Sequence, residues 1–552
     1  MHIITMVLAL LLAVVASAFI VRLLPFKAPA PLIQIPVGAL LAGAFGVAIT
    51  FDPHVFLLLF IPPLLFLDGW RIPKGAFFHD WKPILALAIG LVAFTVVGLG
   101  YFVHWLIPAL PAAVAFALAA ILSPTDPVAV GAMTANAPLP SRLMHILEGE
   151  SLLNDASGLV CFSFAVTAAL TGVFSLPQAS LSFVTVAGGG LLVGVAVIWA
   201  VARLNRLLVR RAGEDPATQI LISLLIPFAA YLAAEHLHVS GILAAAVAGI
   251  GMHYGELSGR RLAATRMQRN AVWDTVQATL NGAIFVLLGA QLPEMVQRAP
   301  QVAAAAGIGG AWHLLGYAAL ITLMLAVLRF VWVWVSLKVT VFHAARHGKA
   351  RAMPQLRLMA VTATAGVRGA ITLAGILTLP LAMADGTPFP GRDLAITLAM
   401  GVIMLSLLAA SAGLPLLARG LGSDLPTSAP AKPDSNVRIA AAEAAIRRIE
   451  ALIAEPLADA DADAVRAEAA MRLLDVYRGR LDDGAASDET LAGLQRQAEA
   501  ERSLRLAALH AERDELYRLR RARDIDDTVH QQLVREIDLM EAGLAVPRAA
   551  AH

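Results

Sequence analysis

The chain has 552 residues, of which 58% are hydrophobic and only 15% are charged. Soluble domains contain about 45–50% apolar and about 25% charged residues, so this composition excludes an ordinary soluble protein and indicates a membrane protein. The formal net charge of +2 gives no basis for nucleic-acid binding, and the single cysteine excludes an intramolecular disulfide.

Apolar segments follow one another from the N-terminus to about residue 420. A helix that crosses a bilayer needs about 20 mostly apolar residues, and about thirteen segments satisfy this rule. In chain order they are Ile3–Val21, Leu32–Thr50, Val55–Trp70, Pro83–Leu106, Ala112–Thr134, Leu143–Leu170, Leu181–Val201, Ala217–Ala234, Val239–Met252, Val272–Leu292, Ala311–Val341, Leu358–Leu381 and Leu394–Leu417. The first segment has no basic stretch before it, which predicts a retained span and not a cleaved signal peptide.

The basic residues of the loops alternate with the segment number. Lys and Arg collect on the cytoplasmic side of membrane proteins. Loops after odd-numbered segments carry most of them, as with Arg71, Lys74 and Lys82, whereas Arg298 and Arg392 are the exceptions in even-numbered loops. This pattern supports thirteen spans, with the N-terminus outside and the C-terminal tail in the cytoplasm, and we expect the membrane to be the bacterial inner membrane.

The composition changes near residue 420, which predicts a transmembrane domain over 1–420. Residues 421–435 are rich in turn formers and predict a linker. Residues 436–552 are rich in Ala, Leu, Arg and Glu, which predicts a cytoplasmic helical tail. The tail either stabilises the protein or has a dimerising or regulatory role.

Two prolines, Pro124 and Pro127, interrupt the fifth apolar segment. Proline removes a backbone donor and disturbs the preceding turn, so the helix should break beside Thr125 and Asp126. Broken helices at membrane depth line cavities or ion sites in transporters. Asp126 therefore either contributes to an ion site or caps the second half-helix, and the two roles are compatible.

The sixth segment carries a second polar cluster. At helical spacing Glu150 and Asn154 are i,i+4 neighbours, as are Ser151 and Asp155. Their oxygen atoms are hard ligands suited to Na⁺ or Li⁺. Burial disfavours a charged carboxylate, so we expect a proton and a cation to compete for Asp155 in the middle of the segment.

The twelfth segment places Arg368 at mid-span between small residues. A guanidinium at that depth must be paired, and Glu150 is the preferred partner. Gly366 and Gly369 allow this segment to unwind. It is therefore predicted to be the second broken helix of an inverted repeat.

Six motifs resemble signatures of the monovalent cation:proton antiporter-1 family, the NhaP-type bacterial sodium/proton exchangers. They occur in the expected order and span nearly the whole membrane domain. The motifs are Ile61–Phe66, Ser123–Ala129, Glu148–Asp155, Ala234–Gly241, Leu280–Phe285 and Gly366–Ala370.

The resemblance implies an all-α homodimer, each protomer having a core of spans four to six and eleven to thirteen that moves against a dimerisation domain. It implies Na⁺/H⁺ exchange serving pH and sodium homeostasis, with Na⁺ and H⁺ as substrates and no cofactor. Asp155 becomes the exchanging carboxylate with Asn154 as its partner. Asn154 before the aspartate implies electroneutral one-for-one exchange.

The same resemblance assigns the remaining site residues and shows one departure. Thr125, Asp126, Ser151 and Glu150 complete or support the cation site, and Arg368 matches a structural arginine. Many relatives have a glutamate directly after the motif that ends at Phe66, where this chain has Leu67 and then Asp68. Asp68 either replaces that glutamate or lies at the cytoplasmic interface, and we slightly favour the interface.

Three other functions fit the same residues less well. A cation channel would need no proton counterflow, and a sodium-coupled symporter would need a larger cavity for an organic solute. An enzyme is disfavoured because the sequence shows no convincing nucleophile–base pair or metal-ligand set. Selectivity among Na⁺, K⁺ and Li⁺ depends on cavity geometry, which the sequence does not give.

Overall fold

In the computed structural model, the regular secondary structure of the described residues is helical, apart from one antiparallel bridge between Ala382 and Pro388. The described residues are 2–24, 29–45, 53–134, 139, 141–172, 176–256, 263–346, 356–383, 385–418, 434–454, 466–475, 477–478, 488–522, 524, 529–530, 533–534, 536–538 and 540–541. They form two compact units, Met1–Leu425 and Pro426–His552.

The first unit contains helices that overlap every predicted apolar segment. They are α1 His2–Leu23, α2 Ala30–Phe45, α3 Pro53–Arg71, α4 Lys74–His79, α5 Trp81–Leu85, a π-helical turn Ala86–Leu91, α6 Val92–Leu106, α7 Ala112–Leu122, α8 Pro127–Thr134, α9 Ser141–Thr171, α10 Leu176–Ala212, α11 Pro216–His236, α12 Gly241–Glu256, α13 Ala263–Ala305, α14 Ala311–Arg346, α15 Leu356–Thr364, α16 Ala370–Leu377 and α17 Arg392–Ala418. By length and composition, eight helical stretches of the described residues are able to cross a membrane, and three shorter apolar helices accompany them.

Two of the predicted segments are interrupted. The fifth consists of α7 and α8, which are separated by residues 123–126, and the twelfth consists of α15 and α16, which are separated by residues 365–369. The first break follows from Pro124 and Pro127 as predicted. The second lacks a proline, and its two glycines, Gly366 and Gly369, supply the backbone freedom.

Close backbone contacts join the helices outside these breaks. A Cβ atom on Gly69 of α3 would overlap the carbonyl oxygen of Ala246 in α12, and one on Gly249 of α12 would overlap the carbonyl oxygen of Phe66. Small residues at such crossings let two helices approach until their backbones touch, which is a common packing mode in membranes. α3 is thereby held firmly against α12.

Burial divides the helices into inner and outer ones. In α7, every residue from Ala117 to Leu122 is fully buried, so this half-helix is at the centre of the unit. α1 and α10 instead expose large apolar side chains, including Leu12, Phe19, Leu192 and Trp199. Exposed apolar surface of this extent is typical of a face covered by lipid or by another chain.

The second unit contains α18 Asp434–Ile453, a helix over 466–475 and α19 Asp488–Ala522. The predicted linker, 421–435, lies outside the described residues except for its last two positions, which begin α18. Within this unit Arg513 of α19 donates a hydrogen bond to Asp538 at 2.7 Å and also pairs with Glu541.

Candidate cation site

The two interrupted helices meet at their breaks. The backbone N–H of Asp126, in the first break, donates a 2.8 Å hydrogen bond to the carbonyl oxygen of Val367 in the second. A Cβ atom on Gly369 would overlap the Asp126 carboxylate, so only glycine fits at this crossing. The backbone N–H of Ala129 donates a 3.4 Å hydrogen bond to Asp126 Oδ1. Asp126 therefore also caps α8, which is one of the two roles that the sequence analysis considered for it.

A polar cavity lies beside this crossing. Its carboxylates come from three elements, namely Asp68 of α3, Asp126 of the first break and Asp155 of α9. Its other lining residues are Thr125, Ser151, Thr372 and Asn281, together with Ile61, Leu64, Leu65, Pro124, Gly369 and Ile371. The cavity therefore presents oxygen atoms on an apolar background, as hard cations require.

The i,i+4 pairing predicted on α9 accounts for two of these residues. Ser151 and Asp155 both line the cavity, and the Ser151 hydroxyl donates a 2.8 Å hydrogen bond to the carbonyl oxygen of Thr125. Asp155 is only 5% exposed, yet among the described residues none donates a hydrogen bond to its carboxylate. A buried carboxylate without donors strongly favours a proton or a cation.

Asn154 faces the first break and is absent from the cavity lining. Its Nδ2 donates a 3.1 Å hydrogen bond to Thr125 Oγ1. Its Oδ1 is buried and has no hydrogen-bond partner among the described residues. Asn154 thus positions Thr125 and does not reach the cavity.

The predicted pairing of Glu150 with Arg368 is wrong in this structure. Glu150 accepts two hydrogen bonds from Arg329 of α14, at 2.5 Å from Nη1 and 2.7 Å from Nη2. Arg329 Nε also donates to the carbonyl oxygen of Thr362 at 2.8 Å. Because both Glu150 oxygens are occupied and neither lines the cavity, Glu150 supports the site and is not itself a ligand.

Arg368 is paired with backbone oxygens instead of a carboxylate. Its Nε donates a 2.9 Å hydrogen bond to the carbonyl oxygen of Leu122, the last residue of α7, and its Nη1 donates to that of Gly366. Carbonyl groups at a helix C-terminus carry partial negative charge, which a cation offsets. The carbonyl oxygens at the helix breaks are therefore the partners of Arg368, whereas the sequence analysis expected a carboxylate.

The family model described as sodium/hydrogen exchanger, transmembrane, matches residues 8–420. The chain belongs to the sodium/hydrogen exchanger family. It is 40% identical over 98% of its length to the protein named uncharacterised Na(+)/H(+) exchanger YjcE of Escherichia coli, 99% of which is matched. It is also 43% identical to the sodium, potassium, lithium and rubidium/H(+) antiporter of Bacillus subtilis, a match that covers 76% of this chain and 62% of that protein.

Solved structures show the same fold. The sodium proton antiporter MjNhaP1 of Methanocaldococcus jannaschii, determined at pH 8, superposes with a TM-score of 0.58 over 76% of this exchanger and 99% of that chain, at 19% sequence identity. This exchanger is thus a multi-pass membrane protein with an antiporter fold, as the sequence motifs predicted.

Asp68 of the exchanger lies on the cavity wall with Asp126 and Asp155, which favours the alternative that the sequence analysis ranked second. The nearest basic residue along α3, Arg71, is occupied elsewhere. It donates a 2.7 Å hydrogen bond to Gln277 and pairs with Asp274, both on α13. The carboxylate of Asp68 is therefore left to the cavity.

Arg329 is the main residue of the exchanger's site that sequence reasoning missed. The sequence did indicate it, because Arg329 is in the middle of the apolar segment Ala311–Val341. A charged side chain there costs as much free energy as Arg368 does in the twelfth segment. Within the described residues there is no cluster of three His, Cys, Asp or Glu side chains that could hold a metal ion. The three cavity carboxylates thus face one space without forming a tight metal centre.

Proposed function

We propose that this exchanger moves Na⁺ against H⁺ by alternating access, with Asp155 as the carboxylate for which the two ions compete. The observation that supports this most is the contrast between its two α9 carboxylates. Glu150 is fully neutralised by Arg329, whereas Asp155 faces the cavity with no described donor. Asp155 is the group whose charge the substrate must neutralise.

Exchange follows from that competition. An empty, ionised Asp155 would have to be carried through a medium of low dielectric, which is costly, so the site crosses only after binding a proton or a cation. Thr125, Ser151 and Asp126 complete the cation site on the moving core, and Asp68 faces them from α3. Arg368 and Glu150 hold the two breaks in place.

The transported cations include Na⁺ and extend to Li⁺ and K⁺. The name of the Bacillus subtilis relative includes sodium, potassium, lithium and rubidium, and a 43% identical chain is a reasonable guide to this range. Asn154 in place of a second carboxylate leaves one titratable side chain at this pair of positions, which supports electroneutral one-for-one exchange. Its physiological role would be pH and sodium homeostasis.

The topology proposed is that of thirteen spans in the bacterial inner membrane, with inverted repeats, a periplasmic N-terminus and a cytoplasmic tail. The cavity wall on α3 runs from Ile61 to Asp68, toward the helix end that carries Arg71. Because that end precedes a basic loop, we assign it to the cytoplasm. The exposed apolar faces of α1 and α10 are available for homodimerisation.

The test uses everted vesicles from an antiporter-deficient bacterium, acidified by respiration and monitored with a ΔpH-sensitive dye. Addition of NaCl, LiCl or KCl should restore fluorescence with the wild type and not with Asp155→Asn. Asp393→Asn, which removes a 76% exposed carboxylate on α17, is the matched control and should behave as wild type. Exchange by Asp155→Asn at the wild-type rate would refute the assignment.

A cation channel is the strongest alternative, because the same carboxylates would attract cations. Purified protein in planar bilayers separates the two functions. Electroneutral exchange gives cation-dependent proton flux without current, whereas a channel gives current without proton counterflow.

A further inference from the structure

The neutral oxygen atoms of the cavity are unequally occupied. Thr125 Oγ1 accepts a hydrogen bond from Asn154, and the Ser151 hydroxyl donates to the Thr125 carbonyl. The two remaining neutral side chains on the wall, Asn281 and Thr372, have no hydrogen-bond partner among the described residues. Both are therefore available to a bound ion.

These two side chains come from two different helices of the cavity wall. Asn281 is on α13, outside both interrupted helices, and is half-buried. Thr372 is on α16, three residues beyond the crossing at Gly369, and is only 1% exposed. A polar side chain left unpaired in such surroundings costs free energy, so both need a partner that the protein itself does not supply.

We infer that Asn281 and Thr372 are additional neutral ligands of the transported cation, beside Thr125 and Ser151, and determine its affinity separately from that of the proton. This inference rests on the proposed function and extends it to two residues that the family motifs leave without a role. An amide or hydroxyl oxygen coordinates an alkali cation but neither gains nor loses a proton near neutral pH, whereas a carboxylate binds both ions.

The consequence is a division of labour in the cavity. Asp155 sets the competition, because it binds either ion. Asn281 and Thr372 contribute only when the cation is bound, so they set how much cation is needed to displace the proton. Because Asn281 is on α13 and Thr372 on α16, the cation is held between two different elements of the cavity wall.

The experiment measures the apparent KM for Na⁺ as a function of pH in proteoliposomes, for wild type, Asn281→Leu and Thr372→Val. Both replacements keep the branching and the number of heavy atoms of the side chain and remove the oxygen. In wild type KM should be constant at high pH and rise below the pH at which the proton begins to compete. Each variant should raise KM by about tenfold at every pH, which is the size of one lost contact to a charged partner. The pH below which KM begins to rise should stay the same.

Controls separate this result from structural damage. Thr322→Val on α14 removes a half-buried hydroxyl that bonds Ala318 and lies outside the cavity, and it should keep the wild-type KM. Asp68→Asn removes a carboxylate and should change the pH below which KM begins to rise. A structural role for Asn281 and Thr372 would lower the maximal rate, or the yield of monodisperse protein, without a parallel shift in KM.

Two outcomes would overturn the inference. If both variants exchange with the wild-type KM, their oxygens do not bind the cation, although the proposed function stands. If the variants change the pH below which KM begins to rise, the two residues act through the carboxylates and not on the cation alone. Absence of Na⁺-dependent proton flux in the wild type would instead refute the proposed function and with it this assignment.

Discussion

The pairing of Glu150 with Arg329 can be tested by removing either partner. Glu150→Gln leaves the guanidinium of Arg329 buried without its counter-charge, and Arg329→Met does the same to the carboxylate. The two side chains are only 1% and 3% exposed, so water cannot replace the missing charge. Breaking a buried pair from one side costs about 3–5 kcal/mol.

The expected change in melting temperature follows from the size of the unit. The unfolding entropy of about 2.1 cal/mol/K per residue gives roughly 1 °C per kcal/mol for a unit as long as Met1–Leu425. Each single variant should therefore melt about 3–6 °C below wild type in the same detergent. The double variant should lose less in melting temperature than the two single variants lose together, because it leaves no unpaired charge.

A double-mutant cycle distinguishes this pairing from the one that the sequence favoured. Melting is followed by intrinsic fluorescence for Glu150→Gln combined with Arg329→Met and, separately, with Arg368→Met. Arg368 donates to backbone oxygens and not to Glu150, so its coupling to Glu150 should be clearly weaker than that of Arg329. Equal or stronger coupling of Glu150 to Arg368 would refute the pairing described here.

Three further predictions concern other parts of the first unit. Gly369→Ala should abolish exchange, because its Cβ would overlap the Asp126 carboxylate, whereas Gly131→Ala, which meets nothing within 4 Å, should be active in the vesicle assay. Arg368→Lys should lower the melting temperature, because one ammonium group cannot reach the carbonyl oxygens at the ends of both breaks as a guanidinium does. Burial lowers the pKa of Lys74, the first residue of α4, to about 8, so the folded state binds this proton less tightly than the unfolded state. The melting temperature should therefore rise relative to Lys74→Met as the pH increases from about 8 toward the ordinary lysine pKa, and a constant difference would contradict this.

Local features of the sequence predicted local features of the structure. Pro124 and Pro127 marked the first helix break because a proline acts on its own turn. Spacing on α9 placed Ser151 and Asp155 on one side because helical periodicity fixes which side chains share a face. The apolar segments were located by length and hydropathy, which depend on the bilayer and not on the partner helix.

Pairings between distant segments were beyond such reasoning. Arg329 and Arg368 are both buried arginines, and only the position of α14 in the folded unit determines that Glu150 of α9 pairs with the first. The position of Asp68 depended on the rotation of α3, which its contact with α12 sets. Asn281 belonged to a recognised motif, but its cavity position required the three-dimensional arrangement of α13.

The placement of positive charge explains how this cavity attracts cations. Arg329 is occupied by Glu150 and by the Thr362 carbonyl, and Arg368 by carbonyl oxygens at the two breaks. Neither arginine lines the cavity, and the described lining residues include no lysine or arginine. Three carboxylates therefore face a cavity with no basic side chain on its described wall, and protons or cations from solution contribute to balancing their charge. The arginines stabilise the broken helices and leave the balance of charge in the cavity to the substrates.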